Sequence, residues 1–409
     1  MVVEENPSSF FAGCSLAPPD PILNLSVAFK KDQHPKKVDL GVGAYRDDSG
    51  KPYVFKAVKL AEQAVQSEPQ NNHEYTTIEG PALLKSLCVK VLIGDRMAQE
   101  NESRIVSAQT ISGTGALRVA AEFIALHCGN PVVYVSDPTW GNHNAIFAKA
   151  GLAVHTYPYW NDAEKNVNVE AWIETLETVP RGSVILLHAC AHNPTGCDPE
   201  ESDVKRIVEV ISRRHLLAVA DTAYQGYASG DLEKDSFMMR ELLASGAEFI
   251  ITQSFAKNMG LYGERFGMVH IVTKTQEIAE KTLSQLKLVI RPMYSSPPIH
   301  GGKIALKILS DPELYNLWLA ELKQVSGRIN HVRSQLADGL TSRDLGVDWS
   351  HIKTQIGMFS YTGLSPSQVD KMISKWHVYM MRNGRISLAG LNESNIQYVI
   401  DAIDDCVRL

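Results

Sequence analysis

The chain has 409 residues, 44% hydrophobic and 21% charged, with 40 Lys and Arg against 46 Asp and Glu for a formal net charge of −6. That length allows two or three domains with a sizeable core, and the composition is that of a folded globular protein rather than a disordered one. The basic residues are scattered, which argues against a nucleic-acid surface, and no apolar run approaches the roughly 20 residues that cross a bilayer.

The opening stretch MVVEENPSSFFAG is acidic, with neither the apolar core of a signal peptide nor the arginines of a mitochondrial presequence, and points to the cytoplasm. Pro and Gly then cluster in PPDPIL and DLGVGAYRDDSGKP, predicting loops. In SGTGALR, Leu117, Ala120, Ala121 and Ile124 follow at helical spacing, so a helix starts near Thr114. The small residues Ser112, Gly113 and Thr114 leave backbone N–H groups at that helix start free to face an anion. The dinucleotide fingerprint fails here, because Arg118 stands where a third glycine is required.

Apolar runs predict strands over Val132–Val135, Val184–His188, Ala218–Asp221 and Phe249–Thr252, with a helix over Val204–Ile211 between the second and third. This alternation predicts an α/β chain with a mostly parallel sheet covered by helices on both faces. RPMYSSPPIHGG reads as another loop, followed by long helical patterns from Lys303 to Leu340 and a mixed α/β tail. A large central domain with a smaller one made from both chain ends is the organisation expected.

The six cysteines, Cys14, Cys88, Cys128, Cys190, Cys197 and Cys406, form no CxxC pair. Cys190 and His192 lie close in HACAHNPTG without a second ligand pair, so reduced thiols are expected rather than a metal site. Asp221 closes a predicted strand, where parallel sheets bind ligands, although Asp is also a favoured helix cap. Lys257 follows the strand FIIT among small residues. A lone Lys is more often solvated, but here Ser254, Arg265, a strand-end acid and a separate anion site accompany it. Amine, acid and anion donors together suit a cofactor bearing an aldehyde, a basic ring nitrogen and a phosphate.

The segments LGVGAYRDDSGKP, NHEY, SGTGALR, PTWGNHN, HACAHNPTGCDP, DTAYQGYASG, QSFAKNMGLYGERFG, IRPMYSSPP, IGMFSYTGL and GRISLAG stand in the order and spacing of one family. Over nearly its whole length the chain resembles the aspartate aminotransferases, pyridoxal-phosphate-dependent transferases of fold type I. The resemblance implies an N-terminal arm (1–15), a small α/β domain (16–50 and 326–409) and a large domain (51–325) with a mostly parallel seven-stranded sheet flanked by helices. It implies pyridoxal 5'-phosphate carried by Lys257, with Asp221 pairing to the ring nitrogen and Tyr224 and Asn193 to the ring oxygen. Trp140 would stack on the ring, and Ser112, Gly113, Thr114, Ser254 and Arg265 would hold the phosphate. His143 and His188 would support Asp221 from behind. Arg385 would grip the substrate α-carboxylate, and Gly43, Trp140 and Asn193 would also face the substrate.

Tyr75 and Arg291 would reach into a neighbouring subunit, Tyr75 to its phosphate and Arg291 to the side-chain carboxylate of a dicarboxylic substrate. The resemblance therefore implies a homodimer with shared active sites that transfers an amino group between aspartate and 2-oxoglutarate. Ala256 and Ser296 depart from some family members, which carry serine and asparagine there. Three rival readings are an aminotransferase that also accepts aromatic amino acids, a nicotinamide-dependent dehydrogenase and a non-catalytic relative.

Overall fold

The computed structural model describes residues 9–18, 21–41, 43–47 and 50–408; of the expected N-terminal arm, residues 1–8 lie outside these. Seven apolar runs build the central sheet: β1 (Ile105–Ile111), β2 (Val133–Asp137), β3 (Val154–Pro158), β4 (Val184–His188), β5 (Leu217–Thr222), β6 (Phe249–Ser254) and β7 (Phe266–Val272). Their spatial order is β1-β7-β6-β5-β4-β2-β3. Neighbours from β6 to β3 run parallel, whereas β7 is antiparallel to both β1 and β6. β6 and β7 are buried at every position, as expected of strands covered on both faces. Alternate residues of β4 sort to opposite sides: Ile185 and Leu187 join one apolar cluster, Val184 and Leu186 another.

Register then positions the chemistry. His188 lies opposite Asp221 across β4 and β5, and Asp221 lies opposite Thr252 across β5 and β6. The reversed β7 brings its beginning to the carboxyl ends of its neighbours, pairing Phe266 with Ile111 and Gly267 with Ser254. Ser112 N donates to Arg265 O at 3.0 Å just beyond that edge.

Helices depart from expectation in three places. Helix α1 (Ser112–His127) begins two residues before Thr114, with Ser112 at φ 60°. PPDPIL is not wholly a loop, because Pro21 opens the helix Pro21–Lys31, and a helix's first position needs no N–H. RPMYSSPPIHGG is corrected more deeply: helix α2 (Gln276–Tyr294) runs through Pro292, and α3 (His300–Ser310) starts at His300. The carbonyl that Pro292 leaves without a helical donor belongs to Leu288, which is exposed to water, and the buried Leu286, Val289 and Ile290 continue the helical stripe. The helical patterns expected from Lys303 to Leu340 are two helices, α3 and the 30-residue α4 (Pro312–Thr341). Asp311 makes the break, its carboxylate accepting from Glu313 N (3.0 Å) and Leu314 N (3.2 Å), with Pro312 at the first helical position.

The two ends of the chain meet in one short strand pair, and a second pair lies within the C-terminal part. Val38–Asp39 runs parallel to Val378–Tyr379, and Phe359–Tyr361 runs antiparallel to Arg385–Ser387. A third apolar cluster joins Val38 and Leu40 to Trp318 and Leu336 of α4 and to Val378 and Ile400.

Candidate active site

The carboxyl ends of β4, β5 and β6, the start of α1 and the turn after β6 surround a cavity of about 190 Å³. Its wall gathers Gly43, Ser112, Gly113, Thr114, Trp140, His188, Asn193, Asp221, Tyr224, Ser254, Lys257, Arg265 and Arg385. Of the remaining residues expected at the site, His143 lies directly behind the wall, bonded to Asp221. Tyr75 and Arg291 lie elsewhere: Tyr75 is 84% exposed, and Arg291, near the end of α2, donates from Nη1 to Ser295 Oγ at 2.6 Å.

At one pole the wall is built for an anion. Ser112 Oγ and Ser254 Oγ are 3.3 Å apart, and the first-turn N–H groups of α1 have no helical acceptor. A Cβ on Gly113 would sit 3.0 Å from Ser254 Cβ, so glycine keeps this cradle open. Arg265, at φ 52°, adds a guanidinium anchored from Nη1 to Tyr262 O at 2.9 Å.

At the other pole sits Asp221, which is buried. A chain of hydrogen bonds reaches it, and its direction is set at the far end. The backbone N–H of Asn193 donates to His188 Nδ1 (3.3 Å), so the neutral His188 carries its proton on Nε2 and donates to Thr139 Oγ1 (3.0 Å). The Thr139 hydroxyl then donates to His143 Nδ1 (2.8 Å), and His143 Nε2 donates to Asp221 Oδ2 (3.1 Å). Thr252 Oγ1 donates to Asp221 Oδ1 at 3.0 Å. Burial alone would raise the Asp221 carboxyl, but His143 and Thr252 hold it below its ordinary value, so it stays ionised. Burial pushes His188 down to about 3, which keeps it neutral.

Between the poles, Lys257 Nζ lies 5.1 Å from the centre of the Tyr224 ring. Burial lowers the pKa of its ammonium; Asp221 opposes this, while Arg265 and Arg385 add to it. A neutral amine is thus made more accessible, as a nucleophile or proton carrier requires. Arg385 is 4% exposed and held by two acceptors, Asn193 Oδ1 from Nη1 (3.2 Å) and Gly41 O from Nη2 (2.7 Å). Its guanidinium covers the Phe359 ring at 4.2 Å, and its buried Nε has no partner among the described residues. A buried guanidinium with an open N–H and no carboxylate partner among the described residues has the chemistry to pair with an incoming carboxylate.

The donor set fits a group with a phosphate at one end, a basic ring nitrogen at the other and an aldehyde between. The cradle that a Cβ at Gly113 would crowd would receive the first, the ionised Asp221 the second and the Lys257 amine the third.

Sequence reasoning missed several contributors. Thr139 stands inside the quoted PTWGNHN, but a single hydroxyl carries no signature, and its bridging role depends on two histidines 45 residues apart. Thr252 enters the sequence reading only as the end of a strand, and Phe359 only as part of the segment IGMFSYTGL. Cys190 also lines the cavity, its thiol pushed well up by burial, while His192 is bonded to Ser136 Oγ (2.9 Å) and Thr195 Oγ1 (2.8 Å).

Residues 35–403 match the family described as aminotransferase class I and II. The mitochondrial aspartate aminotransferase of Dictyostelium discoideum is 47% identical over 396 residues, covering 97% of this chain and 93% of its own. Among solved structures, the aspartate aminotransferase from Saccharomyces cerevisiae cytoplasm is similar at TM-score 0.94 and 41% identity, over 98% of each chain. An aromatic-amino-acid aminotransferase from Burkholderia pseudomallei, covalently bound to pyridoxal phosphate, is similar at TM-score 0.94 and 39% identity, over 98% of this chain and 100% of that one.

Proposed function

The chain belongs to the class I and II aminotransferases, and on that premise we propose that it transfers the amino group of L-aspartate to 2-oxoglutarate, using pyridoxal 5'-phosphate. The reaction is reversible and ping-pong, giving oxaloacetate and then L-glutamate. One observation carries this reading: an ionised buried acid, an amine of lowered pKa and a carboxylate-free buried arginine face a single cavity. When bound, pyridoxal phosphate supplies an aldehyde that condenses with amines and a protonated ring that takes up electron density from the substrate α-carbon.

The chain's own residues do the rest. Ser112, Gly113, Thr114, Ser254 and Arg265 bind the phosphate, and Trp140 covers the ring. Asp221 holds the proton on the ring nitrogen, and the His143–Thr139–His188 chain holds Asp221 in place. Tyr224 and Asn193 hydrogen-bond the ring oxygen. With the cofactor bound, Lys257 Nζ would take the proton from the substrate α-carbon and hold it as an ammonium for return. Arg385 binds the α-carboxylate. At Gly43 a Cβ would meet Phe359 Cζ at 2.9 Å, so glycine leaves space at the substrate end.

Arg291 and the exposed Tyr75 complete the cavity of a partner subunit in a homodimer with two shared sites, Tyr75 at the phosphate and Arg291 at the side-chain carboxylate. Two arginine forks at a fixed separation select a dicarboxylic substrate. Arg291→Ala is therefore expected to cut kcat/KM for aspartate by about 5- to 150-fold, the equivalent of ~1–3 kcal/mol, while alanine and phenylalanine change little. Equal losses on all three substrates would remove Arg291 from this role.

The division into a large domain (51–325) and a small one (16–50, 326–409) belongs to the same proposal, as does cytoplasmic residence. The relatives named above include one from a mitochondrion and one from a cytoplasm. Among the described residues no helix is long and apolar enough to cross a membrane.

The direct test is the visible spectrum of the holoprotein. Its band is expected to collapse when L-aspartate is added without keto acid, and to return with 2-oxoglutarate. If no band forms after incubation with pyridoxal phosphate, the proposal fails. The likeness to an aromatic-amino-acid aminotransferase gives a second reading, in which phenylalanine is turned over within about tenfold of aspartate; the two kcat/KM values separate the readings.

A further inference from the structure

Arg333 sits on α4, is 2% exposed and has no carboxylate partner among the described residues. Burying a guanidinium is unfavourable unless its N–H groups find acceptors. Three of the five do, all on one stretch of chain, while Nε has no partner among the described residues. Nη1 donates to Ile352 O (3.3 Å), and Nη2 donates to Gly357 O (2.6 Å) and Phe359 O (3.1 Å). Segment 352–359 therefore curls around one cation, with Gly357 at φ 78° to complete the bend. Burial lowers Arg333 to about 9, which leaves it protonated at neutral pH.

The same segment touches two of the three supports of the carboxylate grip, Phe359 and the turn of Asn193. Its last residue, Phe359, lies beneath the Arg385 guanidinium and edge-on to Tyr224, ring centres 5.9 Å apart. Phe359 also pairs with Ser387 in the strand pair that carries Arg385. On its other side, Ile356 N donates to Gly196 O (2.6 Å), and a Cβ on Gly357 would meet Ala191 Cβ at 2.4 Å. Residues 191–196 form the turn holding Asn193, the acceptor of Arg385 Nη1.

An apolar side chain of similar length would fill this core without burying a charge. It could not draw three carbonyls to one point, which a planar fork of five N–H groups can. We infer that Arg333 is a positioning residue for substrate binding: by gathering the carbonyls of 352–359 it fixes Phe359 and the 191–196 turn, and through them the orientation of Arg385. This inference rests on the function proposed above.

The test compares holoprotein carrying Arg333→Gln or Arg333→Lys with the wild type. A grip used equally in ground and transition states appears in KM rather than kcat. KM for aspartate and for alanine should rise by a common factor, roughly tenfold, with kcat within about threefold. Calorimetric titration with succinate, which has two carboxylates and no amino group to react, should show Kd weakened by the same factor. Lys keeps the charge but not the fork, so it should behave more like Gln than like Arg, and it carries the test if the Gln variant does not fold. In a Phe359→Leu background the Arg333→Gln effect should shrink, since the two act along one path. Unchanged KM and unchanged succinate Kd, with only a lower Tm, would overturn the inference. A wild-type protein without aspartate turnover would instead overturn the functional reading on which it rests.

Discussion

Lys257→Ala is expected to abolish steady-state turnover, by on the order of 10⁴-fold or more, while the protein remains folded. The amine has two tasks, covalent attachment of the cofactor and proton transfer, and general-base catalysis alone contributes about 10²–10⁴-fold. The fold should survive because the Lys257 amine faces the cavity and the Tyr224 ring rather than packing in the core. Removing it also relieves a like-charge interaction with Arg265 and Arg385. Circular dichroism should match wild type, and the visible band should lose its response to aspartate on the time scale of turnover. Near-normal turnover in this variant would sink the whole assignment, since no other amine lines the cavity among the described residues.

Asp221→Asn is expected to be the next most damaging change. An amide keeps the shape of the side chain: its oxygen can still accept from His143, and its NH2 can donate to the Thr252 hydroxyl once that hydroxyl turns, so the fold should tolerate it. What disappears is a negative charge in a buried site, where breaking an ion pair costs about 3–5 kcal/mol. Converted to rate, that is a loss of about 10²–10³·⁵-fold in kcat. Asp221→Glu restores the charge at a shifted position and should recover part of the loss. The informative comparison is His143→Ala, which removes a donor to Asp221 but leaves its charge. A loss near tenfold there, about 1–2 kcal/mol, fits a supporting role, whereas a loss equal to that of Asp221→Asn would mean that the histidine itself carries the chemistry.

Much of this site was legible in the sequence because the fold presents chemistry at strand ends. Asp221 closes a run of small apolar residues and Lys257 follows one, so their places at the edge of a parallel sheet could be read from hydrophobic pattern alone. The start of α1 was equally visible, since Ser112-Gly113-Thr114 leads directly into a helical stripe. Arg385 was not legible from its surroundings, because burial in a strand of three residues leaves no periodicity to detect, and only the family resemblance marked it. Strand direction was hidden for a related reason: β7 is apolar at nearly every position whether it runs parallel or antiparallel. Thr139 and Phe359 escaped notice because their roles need partners far away in sequence, His188 for one and Arg333 and Arg385 for the other. The loop assigned to RPMYSSPPIHGG holds only over 295–299, and its start was misplaced because proline was weighed as a helix breaker without regard to which carbonyl would lose its partner.

The reversal of β7 has a practical consequence for anyone altering this chain. The connection from Ser254 to Phe266 starts and ends at the same edge of the sheet, anchored by pairing of Gly267 to Ser254 and of Phe266 to Ile111. It behaves as a tie of fixed length. One inserted residue would advance Arg265 by about 3.3 Å against Lys257 and Ser112, more than a hydrogen bond can stretch and still hold. Libraries built on this connection should therefore vary side chains and leave its residue count alone. Insertions and deletions belong instead at tips such as 162–165, where the chain is exposed and its ends are already paired.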